Sequence, residues 1–132
     1  MMKDVNIPEK WKPVGIVKIN LFGVSIGVFD TFKAYKSYHE KVLKLDTEGV
    51  NIRAIAAATV LVSDKSTHWF ALIIPKKANI VTIAHECSHM ADFIMDVHGV
   101  PISLDNTEIK AYLMAQIMQD VFDIFGISNS RK

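Results

Sequence analysis

Residues 80 to 97 constrain the chain more than any other stretch, because they carry two stripes at helical spacing that make opposite demands. Ala84, Cys87, Ala91 and Ile94 form an apolar seam, while His85, His89, Asp92 and Asp96 form a polar one at offsets of four, three and four. The first stripe predicts a helix packed on a core; the second predicts that its opposite face is free for chemistry. Asn79 is placed to cap the N-terminus, and Gly99 with Pro101 to close the other end. Four residues amount to about 40° of helical rotation, so His85 and His89 project from one face and can grip a single metal ion.

The flanking sequence supplies what that seam packs against. Val17, Ile19 and Leu21 alternate with polar residues, as do Val24, Ile26 and Val28, and Gly23 between them predicts a tight hairpin, with one long bulged strand as the alternative. Phe32, Tyr35, His39, Val42 and Leu43 recur at helical spacing behind Asp30 or Thr31 as N-cap, predicting a helix over 31–45 with His39 half-buried on its apolar stripe. Residues 56–62 and 67–74, joined by Ser63-Asp64-Lys65-Ser66, predict a second hairpin that Pro75 ends. Asp105 is placed to cap a last helix to about Phe125, with Ile109, Leu113, Ile117, Val121 and Ile124 as its buried stripe. The expected fold is α+β: a small, mostly antiparallel sheet packed against the histidine-bearing helix and a C-terminal helix. A chain of 132 residues predicts one domain, with residues 1–13 as a lead-in and 127–132 as a polar tail.

Half of the residues are hydrophobic and the mean hydropathy is +0.22, which points to a dense core or an apolar interface rather than to a membrane. The longest nearly apolar run, Ala54 to Val62, is far short of the ~20 residues a spanning helix needs. No basic-then-apolar leader opens the chain, so a cytoplasmic protein is expected, and the single Cys87 has no internal disulfide partner. A net charge of +1 with scattered Lys and Arg gives no electrostatic reason to expect nucleic acid.

His85-Glu86-Cys87-Ser88-His89 is the H-E-x-x-H pattern of zinc hydrolases, in which the glutamate acts as general base. Catalytic zinc usually takes three protein ligands and leaves one position for water, so a third must come from elsewhere. The metzincin completion needs Gly and His where Asp92 and Met95 stand. His98 is about half a helical turn out of phase with the pair. Glu108 follows His89 after 18 residues, and a turn at Gly99-Pro101 would bring its helix back antiparallel. Asp105 is the substitute ligand, and with Asp105 as cap Glu108 also fits a capping box, reaching back to a backbone N–H.

The H-E-x-x-H motif, 18 residues and then Glu resembles the gluzincin metallopeptidases, and the compact layout with Glu108-Ile109-Lys110-Ala111-Tyr112 is similar to small metallopeptidases encoded by bacteriophages. The resemblance is concentrated in residues 80–115 and departs at Tyr112, where several gluzincin groups carry an aspartate that orients a ligand histidine. It implies one Zn2+ on His85, His89 and Glu108, Glu86 as catalytic base, and peptide hydrolysis by a metal-activated water. Asp92, one turn beyond His89, is placed to hydrogen-bond a ligand imidazole in place of the missing aspartate, and Tyr112, one turn beyond Glu108, to stabilise the oxyanion. His68 is a weaker candidate for substrate contact, and Cys87 belongs to the core. A peptide or protein substrate is implied, with the strand from Thr67 to Ile74 as one docking edge. The competing expectation is a zinc-binding phage structural, assembly or host-interaction protein without turnover; under either reading a homo-oligomer or a phage or host protein partner is expected, in the host cytoplasm if the chain is phage-encoded.

Overall fold

The computed structural model describes residues 7–48, 56–63 and 67–127. The first predicted hairpin forms from β1 (Gly15–Ile19) and β2 (Val24–Phe29), and the second from β3 (Ala57–Val62) and β4 (His68–Ile73). The two are joined by β2 and β4, which run parallel with Ile26 opposite Phe70 and Phe29 opposite Ile73. The sheet therefore has order β1-β2-β4-β3 and is mixed. The first six residues of the expected lead-in, residues 49–55, residues 64–66 and the expected tail from 128 lie outside the described residues.

Each face of the sheet carries its own apolar layer. Ile26, Val28, Phe70 and Leu72 point to α2 (Ile80–Val97) and α3 (Thr107–Phe125), whose Ile83, Cys87, Met90, Ile94, Leu113 and Ile117 complete a single buried cluster. Phe29, Ala71 and Ile73 face the other way, toward α1 (Phe32–Ser37), where Tyr35 is fully buried. Gly15 allows α3 to close on β1: a Cβ there would lie 2.6 Å from Ile124 Cδ1.

The caps follow the local chemistry. Thr31 Oγ1 accepts from the Ala34 N–H at 3.0 Å, and Asn79 Oδ1 from the Thr82 N–H at 2.8 Å. Gly99, at φ 72°, turns the chain out of α2 while the Val100 N–H donates to the Met95 carbonyl, a Schellman closure. The helix expected over 31–45 is shorter: α1 stops at Ser37 and one wide π turn, Tyr38–Val42, follows. At the start of α3, Asp105 is not the cap. It lies in a 3-10 turn, Leu104–Asn106, and Asn106 occupies the N-cap position without a side-chain capping bond.

His39, in the π turn, is only 2 % exposed. Its Nδ1 lies 2.9 Å from the Tyr35 carbonyl, and since a carbonyl only accepts, Nδ1 carries the proton. Burial pushes the pKa below the ordinary histidine value, with the Tyr35 bond opposing. A histidine depressed in this way favours folding above its unfolded pKa of about 6.5 and withdraws that support as pH falls below it. The urea midpoint is expected to be lower at about pH 5.5 than at about pH 7.5, with His39→Gln removing part of the difference. An unchanged pH dependence in the variant would assign the effect to other groups.

Candidate functional site

The helix α2 divides as its sequence predicts. Cys87, Ala91 and Ile94 are fully buried, while His85 and His89 are exposed on the opposite crest. Their Nε2 atoms are 3.1 Å apart, and the rings meet edge to face at 87°. Two nitrogens bound to one tetrahedral zinc, each about 2.05 Å from it, would be about 3.4 Å apart. The separation of the two nitrogens is therefore within a few tenths of an ångström of that in a chelating pair, and one Nε2–H can donate to the other Nε2. Phe93, one turn on, stacks along His89 with 18° between the rings and restricts how far that imidazole turns.

Glu86 is half-buried on the flank between the histidine crest and the core, and makes no hydrogen bond or ion pair among the described residues. Cys87 lies in the core, and burial, with a smaller contribution from the Glu86 charge, pushes its thiol up to about 12. A protonated, enclosed thiol is a poor nucleophile. Native protein at about pH 8 is expected to resist iodoacetamide, and unfolded protein to incorporate one equivalent per chain, read by intact mass.

Among the described residues no group of three His, Cys, Asp or Glu side chains converges as a metal site. Glu108 is exposed in the first turn of α3 and shares a shallow hollow with Leu21, Ile109 and Tyr112. The reason is axial: α2 continues through residues 90–97 beyond His89, about 12 Å of helix, before the chain turns back. Glu108 consequently lies alongside the later turns of α2. It makes no hydrogen bond or ion pair among the described residues, so the capping-box alternative does not occupy it. Tyr112 is 57 % exposed beside it.

Asp92 turns toward α3 rather than along the histidine crest. Its Oδ1 is 3.0 Å from Lys110 Nζ, an ion pair in distance without the alignment of a hydrogen bond. Asp96 is exposed, and His98 bonds the Ile94 carbonyl through Nδ1 at 2.8 Å with its ring against Phe22. The strand at residues 67–74 is not a docking edge, because β4 is paired on both sides, with β2 and β3. The two edges are β1 and β3, and the β1 edge is partly covered by Gln116, whose Nε2 donates to the Lys18 carbonyl at 2.9 Å. That leaves β3, which packs beside α2.

No helix among the described residues is long and apolar enough to cross a membrane. No protein-family model matches the chain, and no curated protein or solved structure is significantly similar to it.

Proposed function

We propose that this chain is a zinc-dependent metallopeptidase in which His85 and His89 hold the metal, Glu108 is recruited as third ligand and Glu86 is the general base. The 3.1 Å approach of the two Nε2 atoms carries the reading, because it brings two imidazole nitrogens together on a helix already anchored by its opposite face. A bound zinc supplies Lewis acidity and a water acidic enough to react near neutral pH. Glu86 takes the proton and returns it to the leaving amine, a role open to a carboxylate with no ion pair to break. Glu108 is likewise uncommitted, and recruiting it requires the connection at residues 98–106 to let the first turn of α3 slide toward His89. Tyr112 would travel with it and offer its hydroxyl to the oxyanion. An extended peptide pairs with the exposed edge of β3, beside α2.

A second reading, a zinc-binding phage assembly or host-interaction protein without turnover, is favoured by one set of observations. Glu108 stands apart from the pair, and large apolar side chains are exposed around the α2–α3 connection, Leu104 at 90 % and Ile102 at 64 %.

Elemental analysis of zinc-loaded protein, paired with Glu86→Gln, separates the two. The peptidase reading expects one zinc per chain in both proteins and cleavage of casein by the wild type alone. Bound zinc without cleavage across a broad peptide library gives the second reading the lead, and absence of bound metal after zinc loading overturns both.

A further inference from the structure

The histidine pair supplies two of the four ligands of a closed zinc site, and such sites are completed by cysteine and histidine. The chain has five histidines and one cysteine, and those outside the pair are placed elsewhere. His39 is buried on the far side of the sheet with Nδ1 on the Tyr35 carbonyl, His98 lies against Phe22 with Nδ1 on the Ile94 carbonyl, and His68 stacks on Phe70 in β4. Cys87 is enclosed in the core. Among the described residues no third ligand-type side chain converges with His85 and His89. Recruiting Glu108 requires α3 to slide, whereas a second copy of the chain brings an identical pair of imidazoles with no change in its fold.

The crest of α2 can receive such a copy. His85 and His89 are exposed opposite the buried stripe, with the short Thr82 and Ser88 beside them, and the adjoining α3 exposes Ala111 and Ala115. Their Nε2 atoms, 3.1 Å apart, span about one edge of a zinc-centred tetrahedron. A two-fold axis through the metal lays the same two nitrogens of the second copy along the opposite edge. Charge makes the association depend on the metal. Between residues 79 and 127 the chain carries seven carboxylates and one cation, Lys110, which is paired with Asp92. Two helical layers brought face to face therefore repel each other, and a bound dication offsets part of that repulsion. We propose that, when zinc is scarce relative to protein, one ion joins two copies of this chain through His85 and His89 of each. Resting on the metal-binding half of the proposed function, the bridge adds its regulation: four nitrogens leave no position for water, so the joined pair is a resting form, and excess zinc separates the copies, each with its own ion and an open position.

Analytical ultracentrifugation of the full-length protein through a Zn2+ titration tests the bridge. From a monomer of 14.8 kDa without metal, the mass is expected to double by about half an equivalent of zinc and to fall back at about tenfold excess. X-ray absorption at the zinc edge is expected to show four nitrogens at about 2.0–2.1 Å at half an equivalent, and oxygen in place of some of them at excess. His89→Ala is expected to remain monomeric at every zinc level, with its circular dichroism reporting an intact fold. A zinc complex that stays monomeric at half an equivalent overturns the bridge and leaves the peptidase reading standing. A dimer that forms without zinc, or that persists in His89→Ala, also overturns it. A zinc-joined dimer whose zinc-saturated form cleaves nothing supports the bridge and removes the peptidase, and absence of zinc binding overturns both.

Discussion

His89→Ala is expected to lower zinc affinity by about a hundredfold or more while leaving the fold in place. Structural zinc sites with four ligands bind with apparent free energies of about 10–16 kcal/mol, so each ligand accounts for a few kcal/mol. Removing one imidazole of a two-imidazole grip leaves a single donor on an exposed helix face. The fold is spared because both histidines stand on the exposed crest of α2, where substitutions usually change stability by less than about 0.5 kcal/mol. His85→Ala should behave alike, since the two rings bring the same atom, Nε2, to within 3.1 Å of each other. Isothermal titration with Zn2+ reads the affinity. A second measurement is available because a ligand that binds only the folded state raises its melting temperature: zinc should raise that of the wild type and fail to do so in either variant. Equal affinity in wild type and His89→Ala would remove the basis of the site. Glu108→Ala tests the third ligand separately, with weakened binding if α3 slides in and no change if water completes the coordination.

Ile94→Ala is expected to destabilise the protein by about 2–5 kcal/mol, a large part of the ~5–15 kcal/mol that holds a domain of this kind together. Ile94 is fully buried on the stripe of α2 opposite the histidines, within the cluster formed with the sheet and α3. Its truncation removes contacts to both partners at once. The lost support falls on the helix that presents His85 and His89, so zinc saturation should restore part of the lost stability in Ile94→Ala and none of it in the double variant with His89→Ala. Urea denaturation with and without Zn2+ measures both. A loss below about 1 kcal/mol would mean the core closes over the gap.

What could be read from the sequence was the local part. The two hairpins, the Thr31 and Asn79 caps, the end of α2 at Gly99 and the burial of Cys87 each depend on residues within a turn or two of one another, where periodicity and cap chemistry act directly. The parallel seam between β2 and β4 depends on segments far apart in the chain, and alternation within a strand says nothing of its partner. For the same reason the strand at residues 67–74 was expected to offer an edge, whereas it lies inside the sheet. The spacing from His89 to Glu108 counts residues without saying how they are spent. Here residues 90–97 are spent as helix, which carries the first turn of α3 past the histidine pair. The ion pair of Asp92 with Lys110 could not be read either, since the sequence does not tell which flank of α2 meets α3.

The order in which β2 and β4 become neighbours has a consequence for how the molecule is made. Each hairpin can zip by itself, but the seam that unites them joins residues 26–29 to 70–73, and such a distant closure carries a loop-entropy cost before any contact returns it. The α2 helix lies over β3 and β4 of the second hairpin and α3 over β1 of the first, so the two helices can pack on each other only across a sheet that already has this seam. Hydrogen exchange during refolding should therefore protect the paired strand amides within each hairpin first and those of α2 and α3 last, making the histidine crest a late product of assembly.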